Sequence, residues 1–168
     1  MARASLREYQ RELAERLRNA EAGTAASKLG VQVGEQNWLV DLTDAGEVIP
    51  VPAITPVPLT RPWFRGVANI RGNLYSVVDF PAFLGGQAVA AGADARLLLV
   101  GERFKTGVAL LVDRSLGLRG AAQLQPRVSG AEHPAWVRAE HQDREGREWI
   151  ELDVPQLIQH PDFLGVAV

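Results

Sequence analysis

The chain has 168 residues, 46% of them hydrophobic, with a formal charge of −2 and a pI near 5.9. That is room for one domain, or two small packed subdomains with a substantial core, and it gives no general attraction to nucleic acid or anionic lipid. Without Cys there are no disulfides or thiolate metal sites, and His133, His141 and His160 lack the helical spacing of a zinc hydrolase.

Residues Arg3 to Ala20 read as a helix, because Leu6, Tyr9, Leu13 and Leu17 recur at three- and four-residue spacing among Arg and Glu. The stripe is narrow. It suits packing on the helix's own domain better than a partner-binding helix, and both readings stay open. Gly23 to Ser27 then form a small-residue linker, so residues 1–27 separate from a domain over 28–168. The charged start lacks a signal-peptide core, and the longest apolar runs are strand-length. A soluble cytoplasmic protein with no inserted segment is expected.

From Lys28 the period changes to two, with a hairpin turning at Gly34 to Asn37. Further strands are expected at Val48 to Val51, Val67 to Arg71, Leu74 to Phe80, Arg96 to Gly101, Gly107 to Val112, Leu116 to Arg119, Trp136 to Glu140 and Glu148 to Leu152. Five prolines between Pro50 and Pro62 make an extended surface connector. Short helices are expected at Pro81 to Leu84 and at Val154 to His160, the second capped by Asp153. Gly85 to Ala95 and Gln125 to Pro134 read as loops, and Asp143 to Gly146 as a solvated hairpin tip. Many short strands imply one or two small antiparallel barrels.

The most informative stretch runs from Pro62 to Phe80. Gly66 and Gly72 flank a short extended segment in which Val67 and Asn69 share one face, and Arg71 continues it. Beside Trp63 and Phe64, exposed Asn69 and Arg71 would place directed hydrogen bonds within an apolar patch. No P-loop Lys follows these glycines, no nucleophile has a plausible His and Asp set, and the acids lack calcium-loop spacing. Trp63, Phe64, Arg61, Arg65 and Arg71 are also the residue types of a single-stranded nucleic-acid reader, a reading weakened by the net negative charge.

The string Gly66-x-x-Asn69-x-Arg71-Gly72, then Val77-x-Asp79-Phe80 and Gly107-x-x-x-Leu111-Val112-Asp113, resembles the CheW family of chemotaxis adaptors. Pro62-Trp63-Phe64-x-Gly66 and Phe83-Leu84-Gly85 look like its type IV pilus branch, the PilI-like proteins of twitching motility. The resemblance covers about Lys28 to Gln159. It implies a mainly β fold of two five-stranded SH3-like barrels packed on a shared core, with an N-terminal helix and a short C-terminal helix. It implies no catalysis, cofactor or metal. The implied partners are the cytoplasmic tip of a chemoreceptor and the regulatory domain of a CheA-type histidine kinase, near membrane-associated receptor clusters, with array assembly left open.

Carried onto this sequence, the partner-binding residues are Glu47, Trp63, Phe64, Asn69 and Arg71, with Glu47 expected to pair with Arg71. Gly66, Gly72, Asp79 and Asp113 are expected to shape turns. Ser76 and Phe80 depart from the Pro and Leu common in the family. The alternatives are a β-barrel module for single-stranded nucleic acid, or a CheW-type regulator outside pilus signalling.

Overall fold

A computed structural model describes residues 7–14, 27–90, 92–128, 130 and 132–168. Two sheets account for most of them. The first has the order β8-β1-β2-β11-β10-β9 and the second β3-β6-β7-β5-β4. In chain order the strands are β1 (Lys28–Val33), β2 (Gln36–Asp41), β3 (Ala45–Pro50), β4 (Phe64–Ile70), β5 (Asn73–Asp79), β6 (Arg96–Val100), β7 (Val108–Val112), β8 (Arg114–Arg119), β9 (Leu124–Arg127), β10 (Val137–Asp143) and β11 (Glu148–Leu152). The second sheet is thus inserted between the two parts of the first, which closes up through a parallel pairing of β2 with β11.

The apolar runs in β6 and β7 explain how the sheets join. Leu97, Leu99, Ala109 and Leu111 point into the second barrel with Ala68, Ile70 and Val77. Their neighbours Leu98, Val100, Leu110 and Val112 point the other way, onto Leu29, Val31, Trp38 and Val40 of the first sheet. Strands buried on both faces lose the polar alternation of a half-exposed strand. The first barrel has a smaller interior of Leu39, Leu124 and Trp149. Glu151, two residues after Trp149 and on the same face, is buried and paired with Lys28 at 2.5 Å.

One sequence expectation is corrected. The first sheet has six strands, because β9 falls where a loop was expected to begin; Pro126 is tolerated there because β9 is an edge strand. The proline-rich connector is an extended, largely exposed segment as expected, and one point of it is fastened to the free edge of β4, where Thr55 and Val67 exchange hydrogen bonds of 2.8 and 2.9 Å. Within the expected loop after α2, Val89 is buried and its amide donates to the buried Asp79 carboxylate at 2.9 Å.

Helix α1 is described over residues 7–14 only, and all eight are exposed, Tyr9 and Leu13 included. These residues do not pack on the domain as expected; Leu6, Leu17 and the rest of the Arg3 to Ala20 helix lie outside the described residues. Helix α2 (Phe80–Phe83) starts at the Asp79 cap, and α3 (Val154–Gln159) at Asp153, as the sequence suggested. A further turn, α4 (Pro161–Leu164), begins where His160 Nδ1 accepts from the Asp162 amide.

Candidate partner-binding surface

The β4–β5 hairpin carries the central motif. Ala68 and Ile70 point into the second barrel while Val67 is half-buried and Asn69 exposed, as the alternation predicts. At its tip Arg71 and Gly72 both have positive φ, 53° and 85°. A pair of left-handed residues makes the mirror-image turn that matches the twist of a two-residue hairpin. Glycine takes this conformation freely; for Arg71 it is unfavourable and must be held by its surroundings. Asn69 supplies part of that hold, its Oδ1 accepting from the Gly72 amide at 2.9 Å.

Arg71 Nη2 donates to Glu47 Oε2 on β3, the opposite edge strand of the same sheet. The expected pair therefore exists. The hydrogen bond from Arg71 to Glu47, reinforced by their opposite charges, raises the guanidinium further above its ordinary value. Both side chains remain open, Arg71 being 67% and Glu47 44% exposed. A groove of about 180 Å³ lies beside them, lined by Gly46, Glu47, Ile70, Arg71, Tyr75 and Glu102. Next to it Arg103 pairs with the buried Asp44 and lays its guanidinium over the Phe104 ring, 4.6 Å from the centroid. Nothing in the sequence around Asp44 or Arg103 pointed to this pair, which joins residues 59 apart.

The apolar companion of Asn69 and Arg71 is Leu74. It stands opposite Asn69 in the hairpin and is 66% exposed. Trp63 and Phe64 sit at the other end of β4, roughly 20 Å away at about 3.3 Å per residue. Both are half-buried against the shared core. Trp63 meets Phe83 edge-on at 5.1 Å and stacks on Phe163 at 6.3 Å. The single patch uniting these aromatics with Arg71 is therefore not formed.

That placement also removes the stacking platform of the nucleic-acid alternative. One of its arginines is tied to a buried acid, Arg65 to Asp79 at 3.1 Å.

The residues expected to shape turns do different work. Gly72 is a turn residue. Gly66 is inside β4 at a bulge, with φ +129°, and a Cβ there would lie 2.0 Å from the Thr55 carbonyl oxygen. Asp79 is fully buried and joins three segments by accepting from the Ala82 amide, the Val89 amide and Arg65. Asp113 ties β7 to the β1–β2 turn, accepting from the Gly34 amide at 2.6 Å. Asp143 is more than a solvated tip. Its carboxyl, held at about 2 chiefly by the hydrogen bond from Trp149 Nε1, also accepts from the Glu145 and Arg147 amides.

Two antiparallel-rich barrels on one core, with an inserted second sheet and an Asn-x-Arg-Gly hairpin tip, define a class that comparison with known proteins identifies. A family model, the CheW-like domain, matches residues 28–162, and the chain belongs to that family. Protein PilI of Pseudomonas aeruginosa is 30% identical over 161 residues, covering 88% of this chain and 84% of the relative. A chemotaxis protein CheW from Thermotoga maritima is 27% identical over 132 residues, 78% of this chain and 86% of its own. The crystal structure of the scaffolding protein TtCheW from Thermoanaerobacter tengcongensis has the same fold, with a TM-score of 0.64 at 20% identity over 77% of this chain and 90% of that one.

Proposed function

We propose that the chain is a non-catalytic adaptor that couples the cytoplasmic tip of a chemoreceptor to the regulatory domain of a CheA-type histidine kinase, in a chemosensory system controlling type IV pilus twitching. The observation that carries this reading is the β4–β5 tip, where Glu47 presets an exposed Arg71 beside Leu74 and a shallow groove. Docking surfaces of this kind combine an apolar contact with a few fixed polar groups. The likeness to PilI favours the pilus branch. Residues 28–168 form the adaptor module in this reading, and residues 1–27 an appended segment. The module works in the cytoplasm at receptor clusters. No helix among the described residues is long and apolar enough to cross a membrane.

Size-exclusion mixing of the full chain with a kinase regulatory domain and a receptor tip tests the proposal. Both are expected to co-elute with it. Arg71→Glu sets a carboxylate against Glu47, and is expected to weaken at least one of these complexes tenfold or more while leaving the circular dichroism spectrum unchanged. Failure of the parent chain to bind either partner, or undiminished binding by the variant, overturns the proposal.

A further inference from the structure

The groove beside Arg71 opens onto the interior of the second barrel. Ile70 and Leu99, two residues of that interior, line it together with Tyr75, which packs against the same cluster. At about 180 Å³ it is smaller than the clefts of roughly 300–1,000 Å³ that enclose small-molecule ligands. Its size suits a single long side chain.

The charged residues of the groove are Glu47, Arg71 and Glu102, and their charges do not cancel. Arg71 donates to Glu47, which leaves Glu102 as the unbalanced one. Glu102 is exposed, and its carboxylate makes no hydrogen bond or ion pair among the described residues. The Arg71 guanidinium, raised chiefly by its hydrogen bond to Glu47, also feels the Glu102 charge, so the second carboxylate stands near without pairing. An anionic side chain entering here would meet two carboxylates and one guanidinium that is already engaged. A cation would meet an acceptor that has no partner.

Glu102 does not hang on a loose loop. It begins a 3₁₀ turn, Glu102–Phe104, that is tied on both sides. Before the turn the Gly101 amide donates to the Asp44 carbonyl at 2.8 Å, and after it the Lys105 amide donates to the Glu102 carbonyl at 2.9 Å. Between them Arg103 pairs with the buried Asp44 carboxylate. The backbone under Glu102 is therefore ordered before any partner arrives, and only the side chain has freedom left to lose.

We propose that this groove takes a Lys or Arg side chain from the docked partner, with Glu102 as its ion-pair acceptor and Ile70, Leu99 and Tyr75 beneath its aliphatic stem. Long basic side chains lay their methylenes on apolar surface while the charged head stays at the rim. The two acids of the surface then have separate tasks: Glu47 fixes Arg71, and Glu102 selects partners by charge. The inference rests on the adaptor reading above, because it takes the Arg71 surface as one that a partner covers.

Calorimetric titration of the full chain with the kinase regulatory domain and with the receptor tip tests it. One of the two complexes is expected to weaken about three- to fivefold with Glu102→Gln, the scale of one exposed ion pair, and tenfold or more with Glu102→Lys. The urea midpoint of both variants is expected to match the parent's. The exposed Lys and Arg residues of that partner are then reversed to Glu one at a time. One reversal is expected to restore binding to Glu102→Lys without restoring it to Arg71→Glu. Should Glu102→Lys lower the urea midpoint, Glu102→Gln replaces it, and the same reversal is expected to cost that variant less than it costs the parent. Parent-like binding by both Glu102 variants, or no partner reversal whose effect depends on residue 102, overturns the inference and leaves the adaptor reading to Arg71→Glu. Binding of neither partner by the parent chain overturns both.

Discussion

Gly66→Ala tests the closure of the second barrel with one added carbon. The new Cβ would lie 2.0 Å from the Thr55 carbonyl oxygen and 2.7 Å from its carbon, at a backbone φ of +129°. Backbone atoms cannot swing aside as the end of a side chain can, so the connector must lift from β4. Lifting breaks both hydrogen bonds between Thr55 and Val67, worth about 2 kcal/mol at about 1 each. Holding Ala in a region that suits only Gly adds about 1–3 kcal/mol, so a loss of about 3–5 kcal/mol is expected. Urea unfolding followed by tryptophan fluorescence measures the total, and native-state hydrogen exchange at the Thr55 and Val67 amides locates it. A loss below about 1 kcal/mol with both amides still protected would refute the argument that Gly66 is there for the close approach.

Leu74→Ser removes an exposed apolar side chain, and is expected to weaken receptor or kinase binding in the co-elution assay while the urea midpoint stays within error. Asp79→Ala takes the cap from α2, the anchor from Val89 and the partner from Arg65. A loss of about 2–4 kcal/mol is expected, with rapid exchange at the Val89 amide as its local signature. Asp143 is depressed to about 2 from an ordinary 3.8. Its contribution to stability is thus fully present above the ordinary value and is lost as pH falls through about 2. Asp143→Asn is expected to be less stable than the parent at pH 7 and to show a shallower loss between those two values, measured by acid unfolding at Trp149.

Much of the fold was legible because its signals are local. The alternation at Val67 to Ile70, the double-sided runs Leu97–Val100 and Ala109–Val112, and Asp153 before Pro155 each fix an element from a few adjacent residues. β9 was hidden because Leu124-Gln-Pro-Arg has no strand periodicity of its own, and its pairing is set by β10. The site was legible in its parts, and its layout was not. Trp63 and Phe64 are close to Arg71 in sequence, yet an extended strand carries them to the far end of the barrel, and Leu74 arrives by folding back in the hairpin. Gly66 showed a need for unusual backbone; that Thr55 imposes the need depends on a contact eleven residues away.

Strands β6 and β7, apolar on both faces, also limit how this protein can carry a signal. Tilting one barrel against the other would shear Leu98, Val100, Leu110 and Val112 off their partners in the first sheet. It would do so along the same strands that fill the second barrel, and a close-packed interior resists such sliding. The molecule therefore has no internal hinge at this seam. In the proposed coupling role the protein would act as a rigid spacer, whose output is the position and angle of its neighbours.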